Sequence, residues 1–392
     1  QVGAFGDGSH SGEVIANSGV PVSIIAAMMN DPVDKSLHGV FSVADVRAVD
    51  AAAIKGGIVG IKLMARAAQF ALDVAQRRFP DARRWQVLCG SGNNAGDGYL
   101  LARLAQARGI TVEVLAVAAP DTLTGDAQKA WQVAAEQGVA ITPFAGTLAP
   151  DADLLVDSLL GSGLARDVSG VYADAVNALN AHPAPCLAID IPTGIHGDSG
   201  DVLGVAVQAA ATCTFVGRKT GLYLAAGPEH CGIIDFSTLE IPADCYAAAT
   251  AQLVVIDDSR LTAALPRRSR QAHKGSFGHV VIIGGGPGMP GAARLAGEAA
   301  LRSGAGRVTV ACHPANTAAI TATRPELMCY GIESAAELAP LLEAATVVAL
   351  GPGLGTDHWA QSLYAAAVKF AGPLVLDADA LNLHRKNPRS GS

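Results

Sequence analysis

Trp85-Gln86-Val87-Leu88-Cys89-Gly90-Ser91-Gly92-Asn93-Asn94-Ala95-Gly96-Asp97-Gly98 is the stretch that decides the fold. An apolar run ends in small residues and two adjacent amides, then opens a helical pattern over residues 99–108. A buried strand, a tight turn and a helix in that order form one unit of a parallel α/β sheet. The turn aims backbone N–H groups at whatever lies beyond the strand end. Glycines alone would satisfy an empty turn. Two carboxamides and a carboxylate add donors and acceptors suited to phosphate or ribose.

Working outward, short apolar runs recur at 111–117, 154–157, 187–190 and 212–216, separated by helical patterns. Runs of that length without polar alternation are strands covered on both faces, which predicts a doubly wound parallel sheet. Ligands of such sheets bind outside the carboxyl ends of the strands. Three polar groups fall at those ends: Asn94, Asp157 in Val156-Asp157-Ser158-Leu159-Leu160-Gly161-Ser162-Gly163-Leu164, and Asp190 in Asp190-Ile191-Pro192-Thr193-Gly194. Oxygen donors of this kind suit a hard cation or ribose hydroxyls rather than zinc. An Asp at a strand end also commonly caps the next helix, so each taken singly has a purely structural role open to it.

A chain of 392 residues exceeds the size at which one core stops growing, which predicts two domains. The pattern breaks near residue 250, before Arg267-Arg268-Ser269-Arg270 and His273-Lys274-Gly275. A second α/β series follows, with strands expected at 279–283, 307–311, 346–350 and 374–377. Two of them run into Gly284-Gly285-Gly286-Pro287-Gly288 and Gly351-Pro352-Gly353-Leu354-Gly355. The two series share no period and are expected to be unrelated domains. The divisions are 1–40 as a weakly ordered extension, 41–250 as the first domain and 251–392 as the second.

Composition excludes several classes. The net charge of −7 at low charge density, without a basic stripe, argues against nucleic acid and anionic membrane as main partners. No uninterrupted apolar run reaches the roughly 18 residues of a membrane span. Seven cysteines without a C-x-x-C pair imply a reducing, cytoplasmic setting. Self-association is left open.

In this order the first-domain strings, with Phe215-Val216-Gly217-Arg218-Lys219-Thr220-Gly221, resemble the NAD(P)H-hydrate epimerase family over about residues 43–245. The resemblance implies a Rossmann-like fold and epimerisation of the R and S forms of hydrated NADH and NADPH. Asn94, Asp157 and Thr193 would hold a potassium ion. Asn93, Asn94, Ala95, Gly96, Asp97, Gly161, Ser162, Gly163, Leu164, Ala165, Arg166, Asp167 and Asp190 would contact the dinucleotide. Asp157 would be the acid–base catalyst. Ala95, Thr193 and Thr220 depart from the usual Gly, Ser and Pro, and the Ala95 Cβ is expected to narrow the phosphate approach.

The second series resembles the ADP/ATP-dependent NAD(P)H-hydrate dehydratase family, which is ribokinase-like. The resemblance rests on Arg267-Arg268, His273-Lys274-Gly275, Gly284-Gly285, Gly291-Ala292-Ala293, Glu298 to Gly306, Arg324-Pro325-Glu326, the Gly351-to-Gly355 turn and Asp377-Ala378-Asp379-Ala380-Leu381-Asn382. It implies Ala292 and Gly353 as substrate contacts, and ADP or ATP with Mg2+ as co-substrate. The family's P-H-P-G-E string and late Gly-rich G-D turn do not follow, so this half is expected to be an incomplete ribokinase-like domain without dehydratase activity. Two other readings compete: a non-catalytic binding or scaffold module on the epimerase fold, and a sugar or vitamin kinase resting on the second half alone.

Overall fold

A computed structural model describes residues 35–258, 261, 262, 265, 267–322 and 324–386. The described residues form two compact units, one ending at Asp257 and one beginning at Asp258. Residues 1–34 of the expected extension lie outside the described residues. Residues 35–40 form a turn of helix and the start of a strand in which Val40 is buried.

The first unit carries seven parallel strands: β2 (Arg84–Cys89), β3 (Thr111–Ala116), β4 (Ala140–Pro143), β5 (Leu154–Ser158), β6 (Cys186–Ile189), β7 (Ala211–Phe215) and β9 (Ile233–Ser237). Their spatial order is β4-β3-β2-β5-β6-β7-β9. The order therefore reverses between β2 and β5, and a crevice opens outside their carboxyl ends. In β2 every residue from Trp85 to Cys89 is buried, as are all five residues of β5, so helices cover both faces.

One of those covering helices is α2 (Gly60–Arg78), which buries Leu63, Met64, Ala67, Ala68, Ala71, Leu72, Val74 and Ala75 at helical spacing. Full burial of a leucine such as Leu72 stabilises by roughly 1.5–3 kcal/mol. Helix α3 (Asn93–Ala107) lies close on the sheet because its inner face is small. At Gly98 an added Cβ would come 2.5 Å from Ser158 Oγ.

Three short strands that periodicity does not reveal form a separate sheet: β1 (Gly39–Phe41), flanked by β8 (Arg218–Lys219) and antiparallel β10 (Leu253–Val254). The pairing Phe41↔Lys219 fixes where Lys219 sits. The pairing of β10 with β1, Gly39↔Val254 and Val40↔Leu253, keeps the chain in the first unit past residue 250. Helix α1 (Val43–Lys55) follows β1, capped by Ser42, whose hydroxyl accepts from Asp45 N at 3.1 Å.

The second unit holds a parallel sheet of β11 (His279–Ile283), β12 (Arg307–Cys312), β13 (Met328–Gly331), β14 (Val347–Leu350) and β15 (Leu374–Leu376), in the order β13-β12-β11-β14-β15. Its order reverses between β11 and β14. These are the strands that run into the two glycine turns. Among the described residues no helix is long and apolar enough to cross a membrane.

Candidate active site

At the switch point of the first sheet the loops after β2 and β5 meet backbone to backbone. Gly90 N donates to Ser158 O at 3.1 Å, and a Cβ on Gly90 would lie 2.0 Å from the Leu159 carbonyl oxygen. Beyond that contact lies a cavity of about 820 Å3, large enough for a dinucleotide. Its wall includes Asn93, Asn94, Asp97, the 159–166 loop, Asp190 and Lys219.

The three residues expected to form a cation site come from adjacent strand ends. Asp157 is fully buried. Its Oδ1 accepts from Thr193 Oγ1 at 2.7 Å and Leu159 N at 3.2 Å, and its Oδ2 accepts from Thr193 N at 2.7 Å. Burial pushes its carboxyl up to about 6, against the lowering pull of the Thr193 and Leu159 hydrogen bonds. Asn94 is buried with both side-chain polar atoms unpartnered, although its backbone carbonyl accepts from Ser158 Oγ. A buried carboxamide without partners is costly, and a carboxylate held in apolar surroundings is short of positive charge. One monovalent hard cation answers both deficits, so the all-oxygen set of Asn94, Asp157 and Thr193 fits potassium.

Asp157, the expected acid–base catalyst, stands at the end of β5. Both of its oxygens are engaged by the Thr193 and Leu159 groups, and it lies behind the cavity wall, not on it. The carboxylates on the wall are Asp50, Asp97, Asp126 and Asp190. Asp190 adopts a left-handed φ of 71°, takes Ser162 N at 2.9 Å on Oδ2 and pairs with Lys219 Nζ through Oδ1. Lys219 is 1% exposed and also donates to Thr214 Oγ1 and Phe215 O, each at 3.0 Å. Burial by itself would raise Asp190, but the Lys219 ammonium and the Ser162 amide outweigh it and hold the carboxyl below its ordinary range. Asp97 behaves oppositely. Burial, and then the Asp190 charge, push it well above the ordinary value, with Lys219 pulling back and Asp50 adding to the rise.

The other predicted contacts divide. Asn93 and residues 161–166 line the cavity. At Gly161 an added Cβ would stand 2.9 Å from Asp190 Oδ2 and 3.4 Å from Asn94 Cβ, so only glycine fits where these two approach. Asp167 is exposed and off the wall. Gly96 is buried under Met64, and Ala95 packs into the hydrophobic core. The Ala95 methyl therefore points away from the cavity and does not narrow it. Sequence reasoning missed Arg47, Asp50 and Lys219 as wall residues. Only Lys219 had a signal, lying inside a string already singled out.

In the second unit the glycine turns are joined by backbone bonds. Gly285 N donates to Pro352 O at 3.0 Å, and Gly286 N to Gly353 O at 2.7 Å. Asn316 is buried and donates through Nδ2 to Gly285 O at 3.1 Å and Gly286 O at 2.6 Å. The predicted contacts Ala292 and Gly353 do come together, since a Cβ on Gly353, whose φ is 60°, would meet Ala292 Cβ at 3.4 Å. The basic stretch is partly structural: Arg268 lies over the Phe277 ring at 4.0 Å and donates to Gly304 O at 2.6 Å. Among the described residues no three His, Cys, Asp or Glu side chains converge as metal ligands.

Residues 60–221 match the family model described as YjeF-related protein N-terminus, and residues 280–391 match that of NAD(P)H-hydrate dehydratase. The chain is 42% identical over 343 residues to the bifunctional NAD(P)H-hydrate repair enzyme of Coxiella burnetii, covering 88% of this chain and 70% of that protein. To the Escherichia coli protein of the same name it is 38% identical over 332 residues, covering 85% of this chain and 64% of that one. Among solved structures, the ADP/ATP-dependent NAD(P)H-hydrate dehydratase of Bacillus subtilis is similar at 29% identity and a TM-score of 0.28, over 32% of this chain and 46% of its own.

Proposed function

We infer the function from a fixed premise, that this chain belongs to the family of bifunctional NAD(P)H-hydrate repair enzymes. Its first unit epimerises hydrated NADH and NADPH, and its second belongs with the nucleotide-dependent dehydration of the same compounds. The observation that carries the first assignment is the cavity at the β2/β5 switch point, where unpartnered Asn94 and the opposed carboxyls Asp97 and Asp190 converge. A module that only bound a partner would have no use for a buried lysine on an active-site carboxylate.

The substrate carries a hydroxyl on the dihydronicotinamide carbon next to the ring nitrogen. Exchanging its two configurations requires a proton delivered to that oxygen, a cationic ring stabilised while the carbon is planar, and a proton withdrawn afterwards. A fixed anion beside the ring serves the second need, and Asp190 supplies it. The amide groups of Asn93 and the 161–166 loop are suited to hold the sugar and pyrophosphate. Asn94, Asp157 and Thr193 would hold potassium, which when bound adds positive charge for the buried carboxylate and the phosphates.

A chromatographic assay starting from one separated epimer of hydrated NADH, with potassium present, tests this. Conversion well above the spontaneous rate is expected, and a rate equal to the protein-free control overturns the assignment. For the second unit, the measurement is recovery of NADH absorbance on adding ADP or ATP.

A further inference from the structure

Lys219 is an unusual residue to bury. Taking an ammonium out of water costs several kcal/mol unless its geometry is saturated. Here it is: the three donors of Nζ are used by Asp190 Oδ1, Thr214 Oγ1 and Phe215 O. A lysine with no free donor cannot serve as an acid toward substrate. Whatever it does, it does through Asp190.

Asp190 is held just as tightly. A left-handed φ of 71° in a non-glycine residue costs of order 1–3 kcal/mol and persists only where the surroundings enforce it. Its backbone N donates to Cys213 O at 2.7 Å, Ser162 N donates to its Oδ2, and Lys219 takes its Oδ1. The side chain remains 18% exposed, and that exposure is on the cavity wall. Asp97 shares the wall but has no such clamp, since among the described residues nothing donates a hydrogen bond to its carboxyl.

We propose that Lys219 is a positioning residue for epimerisation, clamping Asp190 as the fixed anion of the cavity and leaving Asp97 as the catalytic residue that carries the proton to and from the substrate hydroxyl. The proposal rests on the epimerase assignment. In the forward step the Asp97 proton passes to the hydroxyl oxygen, the carbon–oxygen bond breaks to release water, and the ring-nitrogen electron pair forms the C=N bond of an iminium. Water then adds to the opposite face and returns a proton to the Asp97 carboxylate, so nothing is consumed. Asp190 balances the cation in between. The groups facing Asp97 agree with this division: Asp50 from α1, the Cys89 thiol from β2, Asp190 beyond β6 and Lys219 from β8. Two carboxyls pushed apart by their surroundings are the usual basis for separate acid and anion roles.

Two measurements on the full chain test it. In the first, carboxyl-carbon NMR of the aspartate-labelled protein, assigned with Asp97→Asn and Asp190→Asn, follows both groups without requiring turnover. Asp190 titrates below Asp97 in the wild type, and Lys219→Met brings the two together, whereas Lys219→Arg keeps them apart. The same order in Lys219→Met overturns the positioning role. In the second, the epimer assay gives pH profiles. Lys219→Met lowers kcat a hundredfold or more, shifts the profile and changes KM less than about threefold, with partial rescue by Lys219→Arg. Asp97→Asn loses a hundredfold to ten-thousandfold in kcat. A slower Lys219→Met enzyme with an unmoved profile marks a merely structural lysine. Wild-type kcat in Asp97→Asn overturns the proton role. An inactive wild-type chain with the titration order intact sinks the epimerase assignment but not the clamp.

Discussion

The two units solve the same topological problem in opposite ways. Each sheet reverses its strand order once, between β2 and β5 in the first unit and between β11 and β14 in the second. At the first reversal the crevice holds the unpartnered carboxamide of Asn94 and the charged side chains of Asp97, Asp190 and Lys219, the last two paired with each other. At the second the chain offers glycine turns whose amides and carbonyls already satisfy one another, with the Asn316 carboxamide closing them. Identical layer architecture thus leaves the chemistry undetermined. What differs is whether the polar groups at the strand ends are left open or closed on the protein itself.

The largest effect that could break this contrast comes from removing one carboxylate in each unit. Asp190→Ala leaves the Lys219 ammonium buried without its counter-charge, which costs about 3–5 kcal/mol. Asp379→Ala in the second unit loses a single bond, from Gly355 N at 2.8 Å to Oδ2, and should cost about 1 kcal/mol. Hydrogen exchange resolved to each sheet measures both. Equal losses would show that the first crevice is no more electrostatically committed than the second.

The units should also respond to pH with opposite signs. In the folded first unit Asp157 titrates near 6 because burial penalises its charge, so the folded state holds the proton more tightly than the unfolded chain. That stabilisation is complete below the ordinary carboxylate value and is lost as pH climbs from about 4 through 6, by about 3 kcal/mol at most for this one group. His279 in the second unit is shifted the other way. Burial holds its imidazole below the ordinary value, helped by Arg307 and opposed by the hydrogen bond to Ala344 O at 3.0 Å. Its contribution is present above the ordinary histidine value and lost as pH falls below it. Exchange protection at pH 5 and pH 7 should therefore shift in opposite directions in the two sheets, and a shared direction would contradict the burial argument for one of them.

Much of this arrangement was legible in the sequence. The central strands of both sheets are short apolar runs, and these specify a covered parallel sheet. Strands β4 and β13 were not legible because they lie at sheet edges, where Ala140, Thr142, Met328 and Tyr330 stay exposed and no apolar run forms. The two-residue strands β8 and β10 are too short for any periodicity to mark them. Asn94 and Asp190 could be found because they end strands. Lys219 lies in a string the sequence singles out, but its role in the site was not legible because its partners Asp190, Thr214 and Phe215 surround it only in the fold. The surroundings of Asp157 were illegible for a related reason: a sequence shows a carboxylate but not which of its oxygens are taken.

A smaller loss sharpens the contrast from the second side. Asn316→Ala removes the donor to Gly285 O and Gly286 O and should destabilise the second unit by about 1–2 kcal/mol, through the loss of two hydrogen bonds to carbonyls that still accept from His313 N and Met289 N. The epimer assay should not change. If dinucleotide epimerisation fell with Asn316→Ala, the chemistry would not be confined to the first crevice.

The smallest expected effect is the response to potassium, and it bears most directly on why the first crevice stays open. Asn94 is buried with Oδ1 and Nδ2 unpartnered, and Asp157 behind it is a carboxylate that burial resists charging. A cation bound to the folded state alone stabilises it by RT ln(1 + [K+]/Kd), about 1.4 kcal/mol at ten times the dissociation constant. The first unit should therefore melt higher in potassium than in a bulky organic cation, and the second should melt at the same temperature in both. Asn94→Leu should abolish the difference, because it removes a ligand while filling the space with apolar atoms. Part of the response should also disappear at low pH, where a protonated Asp157 no longer attracts the ion. A potassium shift of equal size in both units would mean general ionic screening. A shift that survived Asn94→Leu would place the ion elsewhere, and the unpartnered amide would then need another ligand to account for it.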